Sequence, residues 1–382
     1  MGLTVDIPIG LYVHLPWCIR KCPYCDFNSH EATGELPYSR YVDSLILDLD
    51  AELEDLDGRK LGTIFIGGGT PSLFPAASIA RLLDGIRRRV ECADDMEITL
   101  EANPGAADTA RFADFLAAGV NRLSVGVQSF RNHQLQRLGR VHNSASARAA
   151  VAAARTAGFE NINLDLMHGL PDDGPGDSLA DLHDALAFEP EHLSWYQLTI
   201  EAGTAFANKP PELPDQDAIA NEFDAGRQLL LDVGYDQYEI SAYSRPGRRA
   251  RHNLNYWEFG DYIGIGAGAH GKLTSRAGVF RTEKRRSPTA YMSQAGQPAC
   301  TVRSGPIPAN QLVTEFAINV LRLRHGFTER LFAARTGLTP KAIAKPLQQA
   351  QVCGWIVYEA GAFRPSELGY RFLNDLQLLF LS

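Results

Sequence analysis

Cys18, Cys22 and Cys25 lie in the run Trp17-Cys18-Ile19-Arg20-Lys21-Cys22-Pro23-Tyr24-Cys25-Asp26-Phe27, directly after the apolar stretch Leu11-Tyr12-Val13-His14-Leu15. Three thiolates on one loop can ligate three irons of a four-iron, four-sulfur cube and leave the fourth iron without a protein ligand. An open iron is a place for chemistry. The alternative is a zinc site, which needs four ligands. His14, Asp26 or His30 would have to complete it, since no second cysteine pair follows. Soft thiolate donors favour the iron-sulfur reading. Cys92, Cys300 and Cys353 stand alone in sequence and read as small buried hydrophobes.

Further polar residues recur at the ends of short apolar runs. Thr63-Ile64-Phe65-Ile66 leads into Gly67-Gly68-Gly69-Thr70-Pro71, where a main chain without side chains allows close approach; a plain tight turn is the alternative. Glu101 stands in Leu100-Glu101-Ala102-Asn103-Pro104-Gly105, Gln128 in Gly126-Val127-Gln128-Ser129-Phe130, and Asp165 in Asn163-Leu164-Asp165-Leu166-Met167, with Arg140 just beyond Gly139. Singly, each could be a helix cap or a salt bridge. Together they would ring one cavity. A carboxylate can hold an ammonium group, an arginine can clamp a carboxylate, and an aspartate can accept a ribose hydroxyl. Those are the polar groups of S-adenosylmethionine.

The elements that must position them follow from periodicity. Strand-like segments near 11–15, 63–66, 97–101, 121–127, 161–166 and 192–200 alternate with helical patterns at 41–53, 79–90, 109–118, 145–157 and 179–188. The pattern predicts an α/β fold, a partial (β/α)6 TIM-type barrel over residues 1–245, with active groups at the carboxyl ends of the strands. Residues 246–300 read as an irregular segment that follows strand-like 238–243 and contains the glycine-rich run 263–268. The Arg-, Ser-, Gly- and Pro-containing stretch 282–310 reads as a linker. Helical patterns at 311–324, 328–335 and 340–352, an apolar segment at 355–358 and a last helix from Glu367 predict a small winged-helix-like domain over 301–382.

Composition excludes several classes. With 382 residues, 45% hydrophobic and 21% charged, the chain reads as a globular protein with a large domain and a smaller one. A net charge of −8 argues against nonspecific nucleic-acid binding. The basic runs Arg87-Arg88-Arg89 and Lys284-Arg285-Arg286 are short enough to be solvated faces, and the stretch around Lys341 and Lys345 is weakly basic for a recognition helix. Scattered cysteines point to a reducing compartment. Residues 1–8 show no basic start or apolar core of a leader, and no run approaches the ~20 apolar residues of a membrane span. A cytoplasmic location is expected, with peripheral membrane contact left open; the closing apolar segment 376–381 is expected to bury against the C-terminal domain.

The Cys-x3-Cys-x2-Cys loop followed by Gly-Gly-Gly-Thr-Pro resembles the radical S-adenosylmethionine superfamily. Glu-Ala-Asn-Pro-Gly, Gly-Val-Gln-Ser-Phe and Asn-Leu-Asp-Leu-Met-His-Gly-Leu-Pro narrow the resemblance to the branch that holds oxygen-independent coproporphyrinogen III oxidases and heme chaperones. The resemblance implies ligation of a [4Fe-4S] cluster by Cys18, Cys22 and Cys25. It also implies contacts to S-adenosylmethionine from Tyr12, Tyr24, Gly68, Gly69, Thr70, Glu101, Gln128, Arg140 and Asp165, with reductive cleavage of the cofactor's carbon-sulfur bond.

Two departures separate the functions within that branch. The oxidase pattern carries a fourth cysteine two residues after the third, where this chain has Phe27, and a longer segment before the cluster, where this chain has 17 residues before Cys18. The run His252-Asn253-Leu254-Asn255-Tyr256-Trp257 resembles the His-Asn-x-x-Tyr-Trp motif associated with heme in the chaperones. On chemistry alone, His252 offers an axial nitrogen and Tyr256 and Trp257 offer flat apolar area; a core histidine beside packed aromatics is the alternative. His270 is a second candidate ligand, and His14 and His168 are weaker ones. The expectation is a heme chaperone that passes heme to respiratory hemoproteins, with a homodimer as a candidate assembly, without coproporphyrinogen oxidase activity. The alternative is oxidative decarboxylation of coproporphyrinogen to protoporphyrinogen.

Overall fold

The structure, a computed structural model, describes residues 7–106 and 109–381. Residues 1–6, most of the stretch read as lacking a leader, lie outside the described residues. Among the described residues one sheet has twelve strands: β1 (Ile9–Leu15), β2 (Leu61–Gly68), β3 (Cys92–Ala102), β4 (Arg122–Gln128), β5 (Ile162–His168), β6 (His192–Gln197), β7 (Asp236–Glu239), β8 (Ala242–Ser244), β9 (Asp261–Ile265), β10 (His270–Ser275), β11 (Gly278–Lys284) and β12 (Thr301–Arg303). Their spatial order is β12-β11-β10-β9-β1-β2-β3-β4-β5-β6-β8-β7. Strands β1 to β6 are parallel neighbours in chain order. Helices Tyr38–Glu52, Ala76–Arg87, Thr109–Ala117, Ser144–Thr156 and Asp177–Leu186 fill the five connections. The six expected strands and the five helices expected between them are present, and the sheet stays open, extended at both edges.

Side chains alternate between the faces of a strand. Leu11, Val13, Ile64, Ile66, Ile98, Leu100, Leu123, Val125, Leu164 and Leu166 join helix side chains in one hydrophobic cluster. Tyr12, Phe65, Thr99, Glu101, Ser124, Asn163, Asp165 and Ser194 take the other face. Ladder register sets them side by side: Tyr12 opposite Phe65, Phe65 opposite Thr99, Glu101 opposite Ser124, Ser124 opposite Asn163, and Asp165 opposite Ser194. A period of two thus turns scattered polar residues into one lined surface.

The segment 246–300 is regular, not irregular. Helix Arg251–Trp257 leads into β9, which pairs in parallel with β1, and β10 to β12 continue that edge in antiparallel fashion. The stretch 282–310 contains the end of β11, helix Pro288–Gln294 and β12, so it is not an unstructured linker. Lys284 is buried, and its Nζ donates to Asp48 at 2.6 Å and to Glu52, both on helix Tyr38–Glu52. The Tyr291 hydroxyl donates to the other Asp48 oxygen at 2.7 Å. The charge that made this stretch look solvated answers two buried acids instead.

Strand-like 238–243 spans the end of β7, a two-residue turn at 240–241 and the start of β8, a hairpin in place of one strand. The C-terminal region has helices Ala309–Val320, Glu329–Thr336 and Lys341–Val352, a hairpin Ile356–Glu359 with Ala362–Pro365, and two short helices, Glu367–Arg371 and Leu373–Leu378, where one was expected. Its own hydrophobic cluster centres on Phe316, edge-on to Phe259, Phe327 and Phe332. Leu376 and Phe380 of the closing segment are buried in it, whereas Leu378 and Leu381 are exposed. Of the isolated cysteines, Cys300 is buried, Cys92 is half-buried and Cys353 is exposed, contrary to expectation. Among the described residues no helix is long and apolar enough to cross a membrane.

Candidate functional site

The cysteine loop is held at both ends. Trp17–Cys18 pairs with His30–Glu31 as a two-residue bridge; the His30 N–H donates to Pro16 O at 2.7 Å and the Ala32 N–H to Cys18 O at 2.8 Å. Trp17 is buried edge-on against Tyr41, ring centroids 4.8 Å apart, and the Tyr41 hydroxyl donates to His14 O. Cys18, Cys22 and Cys25 are free and half-buried. Among the described residues no three His, Cys, Asp or Glu side chains gather around a single-ion site. Three separate thiols suit a cluster, in which each binds its own iron. Burial raises the Cys18 and Cys25 thiols above their ordinary range, and the Ser29 hydroxyl opposes it at both.

The glycine turn at the end of β2 packs onto this loop. Gly69 N–H donates to Leu15 O and Thr70 N–H to Trp17 O, both at 2.8 Å. A Cβ on Gly69 would sit 2.6 Å from Trp17 O. The close approach permitted by the glycines is thus made at Gly69 by the protein's own cysteine-bearing chain. Thr70 is buried beside Cys18.

Glu101 and Asp165 form the acidic part of the floor. Glu101 accepts the Gly68 N–H at 3.1 Å; Asp165 accepts Ser124 Oγ–H at 2.9 Å and Asn163 Nδ2–H at 2.8 Å. Neither carboxylate has an ion pair among the described residues. Burial, with the neighbouring Asp165 charge, pushes Glu101 up to about 8, and burial raises Asp165 as well. Arg140 closes the rim. Its Nη2 donates to Gly126 O at 2.8 Å, its Nη1 lies 3.4 Å from Tyr24 Oη and 3.8 Å from Cys22 Sγ, and its Nε has no partner among the described residues. Gln128 ends β4 with a left-handed backbone, φ 68°, and its Oε1 accepts the Tyr196 hydroxyl at 2.7 Å. Such a conformation costs a non-glycine residue about 1–3 kcal/mol and persists only where the surroundings impose it. Two half-buried carboxylates without an ion pair among the described residues, and a half-buried arginine whose Nε is unbonded, match a ligand that carries an ammonium, a carboxylate and hydroxyls.

The histidine candidates separate. His252 is 1% exposed, with Nδ1 2.8 Å from Thr63 Oγ1 and Nε2 2.7 Å from Tyr256 Oη, and its ring stacks on Phe65. Burial lowers it to about 3. Trp257 points elsewhere, with the Arg322 guanidinium 4.3 Å from its ring. His14 donates from Nε2 to Asn28 O at 2.9 Å and accepts the Tyr12 hydroxyl at Nδ1, also 2.9 Å. His168 is buried among Trp195 and Phe223, away from the cysteine loop. His270 is exposed.

Tyr12, His14, Phe27, Tyr256, Tyr262 and His270 meet around a cavity of about 360 Å3, with Asp26, Asn28, Gly268 and Arg286 at its wall. Asn28 was not singled out in the sequence, yet its Nδ2 donates to Ala267 O at 2.9 Å and to Arg286 O at 2.8 Å. Gly268, φ 77°, makes room for it, since a Cβ there would fall 2.4 Å from Asn28 Nδ2. Tyr196, Tyr262 and Thr63 were also missed. Period-two alternation from Ser194 would have pointed to Tyr196; nothing local marks Thr63 as a partner of His252.

Residues 12–184 match the radical SAM superfamily and residues 307–372 the HemN C-terminal domain. The heme chaperone HemW of Escherichia coli (strain K12) is 48% identical over 376 residues, 98% of each chain. That of Haemophilus influenzae is 46% identical, again over 98% of each. The mitochondrial radical S-adenosyl methionine domain-containing protein 1 of Bos taurus is 33% identical over 98% of this chain and 87% of its own. Among solved structures, coproporphyrinogen III oxidase (HemN) from Escherichia coli, a radical SAM enzyme, aligns with a TM-score of 0.82 over 99% of this chain and 91% of its own. At 20% identity that likeness establishes the fold.

Proposed function

The chain belongs to the radical S-adenosylmethionine superfamily, in the family of the heme chaperone HemW, and from that premise we propose that it carries heme on a scaffold equipped with a [4Fe-4S] cluster and S-adenosylmethionine. Cys18, Cys22 and Cys25 would hold the cluster. Glu101 would take the cofactor's ammonium, Arg140 its carboxylate and Asp165 a ribose hydroxyl, with Tyr12, Tyr24, Gly68, Gly69, Thr70 and Gln128 shaping the pocket. When bound, cluster and cofactor supply reductive carbon-sulfur cleavage. The observation that carries the cofactor reading is the pair of half-buried carboxylates, Glu101 and Asp165, both raised by burial, with no cationic side chain bonded to either among the described residues. An ammonium ion offsets the burial of such charge.

The heme reading rests on the family and on the aromatic cavity that adjoins the cysteine loop. Phe27, where the oxidase pattern has cysteine, exposes its ring there. The motif His252-Tyr256-Trp257 is proposed to serve heme through Tyr256, which reaches the cavity. The carried heme would go to respiratory hemoproteins in the cytoplasm, with a homodimer and peripheral membrane contact as proposed settings and no role for nucleic acid.

The test is anaerobic purification, cluster reconstitution and heme titration followed in the Soret band, with coproporphyrinogen turnover assayed on the same sample. Saturable heme binding without turnover supports the chaperone. Turnover without saturable heme binding makes the chain an oxidase and sinks the proposal.

A further inference from the structure

Helix Arg251–Trp257 carries the motif residues His252, Tyr256 and Trp257, and it ends against the C-terminal domain. A helix end leaves carbonyls that need donors from elsewhere. Glu258 O accepts the Arg335 Nε–H at 3.1 Å, and Phe259 O accepts Lys272 Nζ–H at 3.1 Å. A cation is well placed against the last carbonyls of a helix. Arg335 lies on helix Glu329–Thr336, is 8% exposed and has no ion pair among the described residues. The Glu258 carboxylate lies 3.7 Å from His325 Nε2, also in the C-terminal domain.

The motif's tryptophan is held from the same side. Arg322, just beyond helix Ala309–Val320, sets its guanidinium 4.3 Å from the Trp257 ring centre, while its Nη2 donates to Glu239 Oε2 at 2.9 Å. The face of an indole attracts such a cation. Next in the chain, Phe259 is buried edge-on against Phe316 with a left-handed backbone, φ 57°. A bulky residue keeps that conformation only where its surroundings impose it.

Apolar contact alone could join the domain to the sheet, as Phe259 and Phe316 do. Burying a guanidinium without a counter-ion is costly, yet Arg335 is buried with its Nε–H on the carbonyl that follows the motif. Arg322 Nε and Trp257 Nε1 are buried as well, with no hydrogen-bond partner among the described residues. The costly contacts of this junction thus gather on residues 257–259, and both arginines come from the C-terminal domain.

We infer that the C-terminal domain is a clamp on the heme motif. Arg335 and Arg322 are positioning residues, which fix the end of the motif helix and the plane of the Trp257 ring and so set how long heme is retained. This inference rests on the heme role proposed for the motif. Among the described residues neither arginine bonds to Glu101, Asp165 or the cysteine loop, so affinity for S-adenosylmethionine serves as an internal control.

The experiment uses the full chain, cluster reconstituted under anaerobic conditions and loaded with hemin. Heme release to excess apomyoglobin is followed in the Soret band for wild type, Arg335→Gln, Arg335→Lys, Arg322→Gln and Arg322→Lys. Arg330, exposed on the helix that carries Arg335, supplies the control Arg330→Gln, expected to match wild type. Each glutamine variant of the clamp is expected to release heme at least fivefold faster, and each lysine variant, which keeps the cation, about twofold faster. Affinity for S-adenosylmethionine is expected to be unchanged in all of them. Where a glutamine variant fails to fold, the lysine variant at that position decides, and a wild-type release rate there overturns the clamp. Wild-type release in the glutamine variants, lysine variants as fast as glutamine ones, or a loss of cofactor affinity that parallels the loss of heme also overturns it and leaves the heme reading standing. A wild type that binds no heme overturns both.

Discussion

The Gly68 N–H donates to Glu101 Oε2 at 3.1 Å, and it is the one hydrogen bond that this carboxyl receives among the described residues. One backbone dipole does not balance burial beside Asp165, so Glu101 is raised to about 8. The carboxyl is neutral below that pH and must lose its proton to hold an ammonium. Affinity for S-adenosylmethionine is therefore expected to rise between pH 6 and pH 8, approaching about tenfold per pH unit, and to level off above. Glu101→Gln should flatten the profile and cost about 10- to 100-fold at pH 8. The cofactor-free protein gives the opposite sign. A carboxyl whose folded pKa is raised favours the folded state at low pH, and that contribution is lost as pH rises through about 8. Glu101→Gln should melt above wild type at pH 8, with the gap closing toward pH 5. Equal pH slopes in wild type and variant would remove Glu101 from the cofactor.

Gly69→Ala places a methyl group 2.6 Å from Trp17 O, a backbone atom that cannot step aside without moving the cysteine loop. The expected result is incomplete cluster reconstitution, with iron content and charge-transfer absorbance well below wild type. Full iron and sulfide content in the variant would show that the turn does not set the loop.

Lys284→Met removes the cation between Asp48 and Glu52 and leaves buried acids unpaired. Breaking such a pair costs about 3–5 kcal/mol. Denaturant unfolding should report a loss of that size. A change below about 1 kcal/mol would mean that residues 282–291 do not contribute to the main body as their contacts require.

Phe27 and Asn28 belong both to the cysteine loop and to the cavity wall. Chelating iron from the reconstituted protein is expected to speed heme release severalfold, and Asn28→Ala to do the same with the cluster in place. The variant loses two hydrogen bonds and leaves two carbonyls without that donor, about 1–3 kcal/mol in stability. Release rates by stopped flow, with and without cluster, check this; equal rates would uncouple the loop from the cavity.

The parallel core was legible because apolar alternation in β1 to β6 is nearly uninterrupted and helices of ordinary length lie between. The same alternation placed Glu101 and Asp165 at one site. The edge strands β9 to β12 were not legible, for a physical reason. Asp261, Lys272 and Lys284 are buried in them as ion pairs, and a strand that buries charge has the composition of a loop. His252 shows a second limit. Its type and motif suggest a ligand, but its role is set by Thr63, 189 positions away in sequence and opposite Gly10 across β1. Asn28 was passed over because nothing in its neighbourhood records that its partners are residues 267 and 286.

Those partners also impose an order on biosynthesis. The cysteines are among the first residues to leave the ribosome, but the clip that fastens their loop is made by Ala267 and Arg286, and the strand that precedes them, β1, is flanked by β9 as well as β2. A nascent chain can expose its three thiols long before it can seat them. The fastening of the loop is therefore a long-range event, complete only when more than two-thirds of the chain has been made.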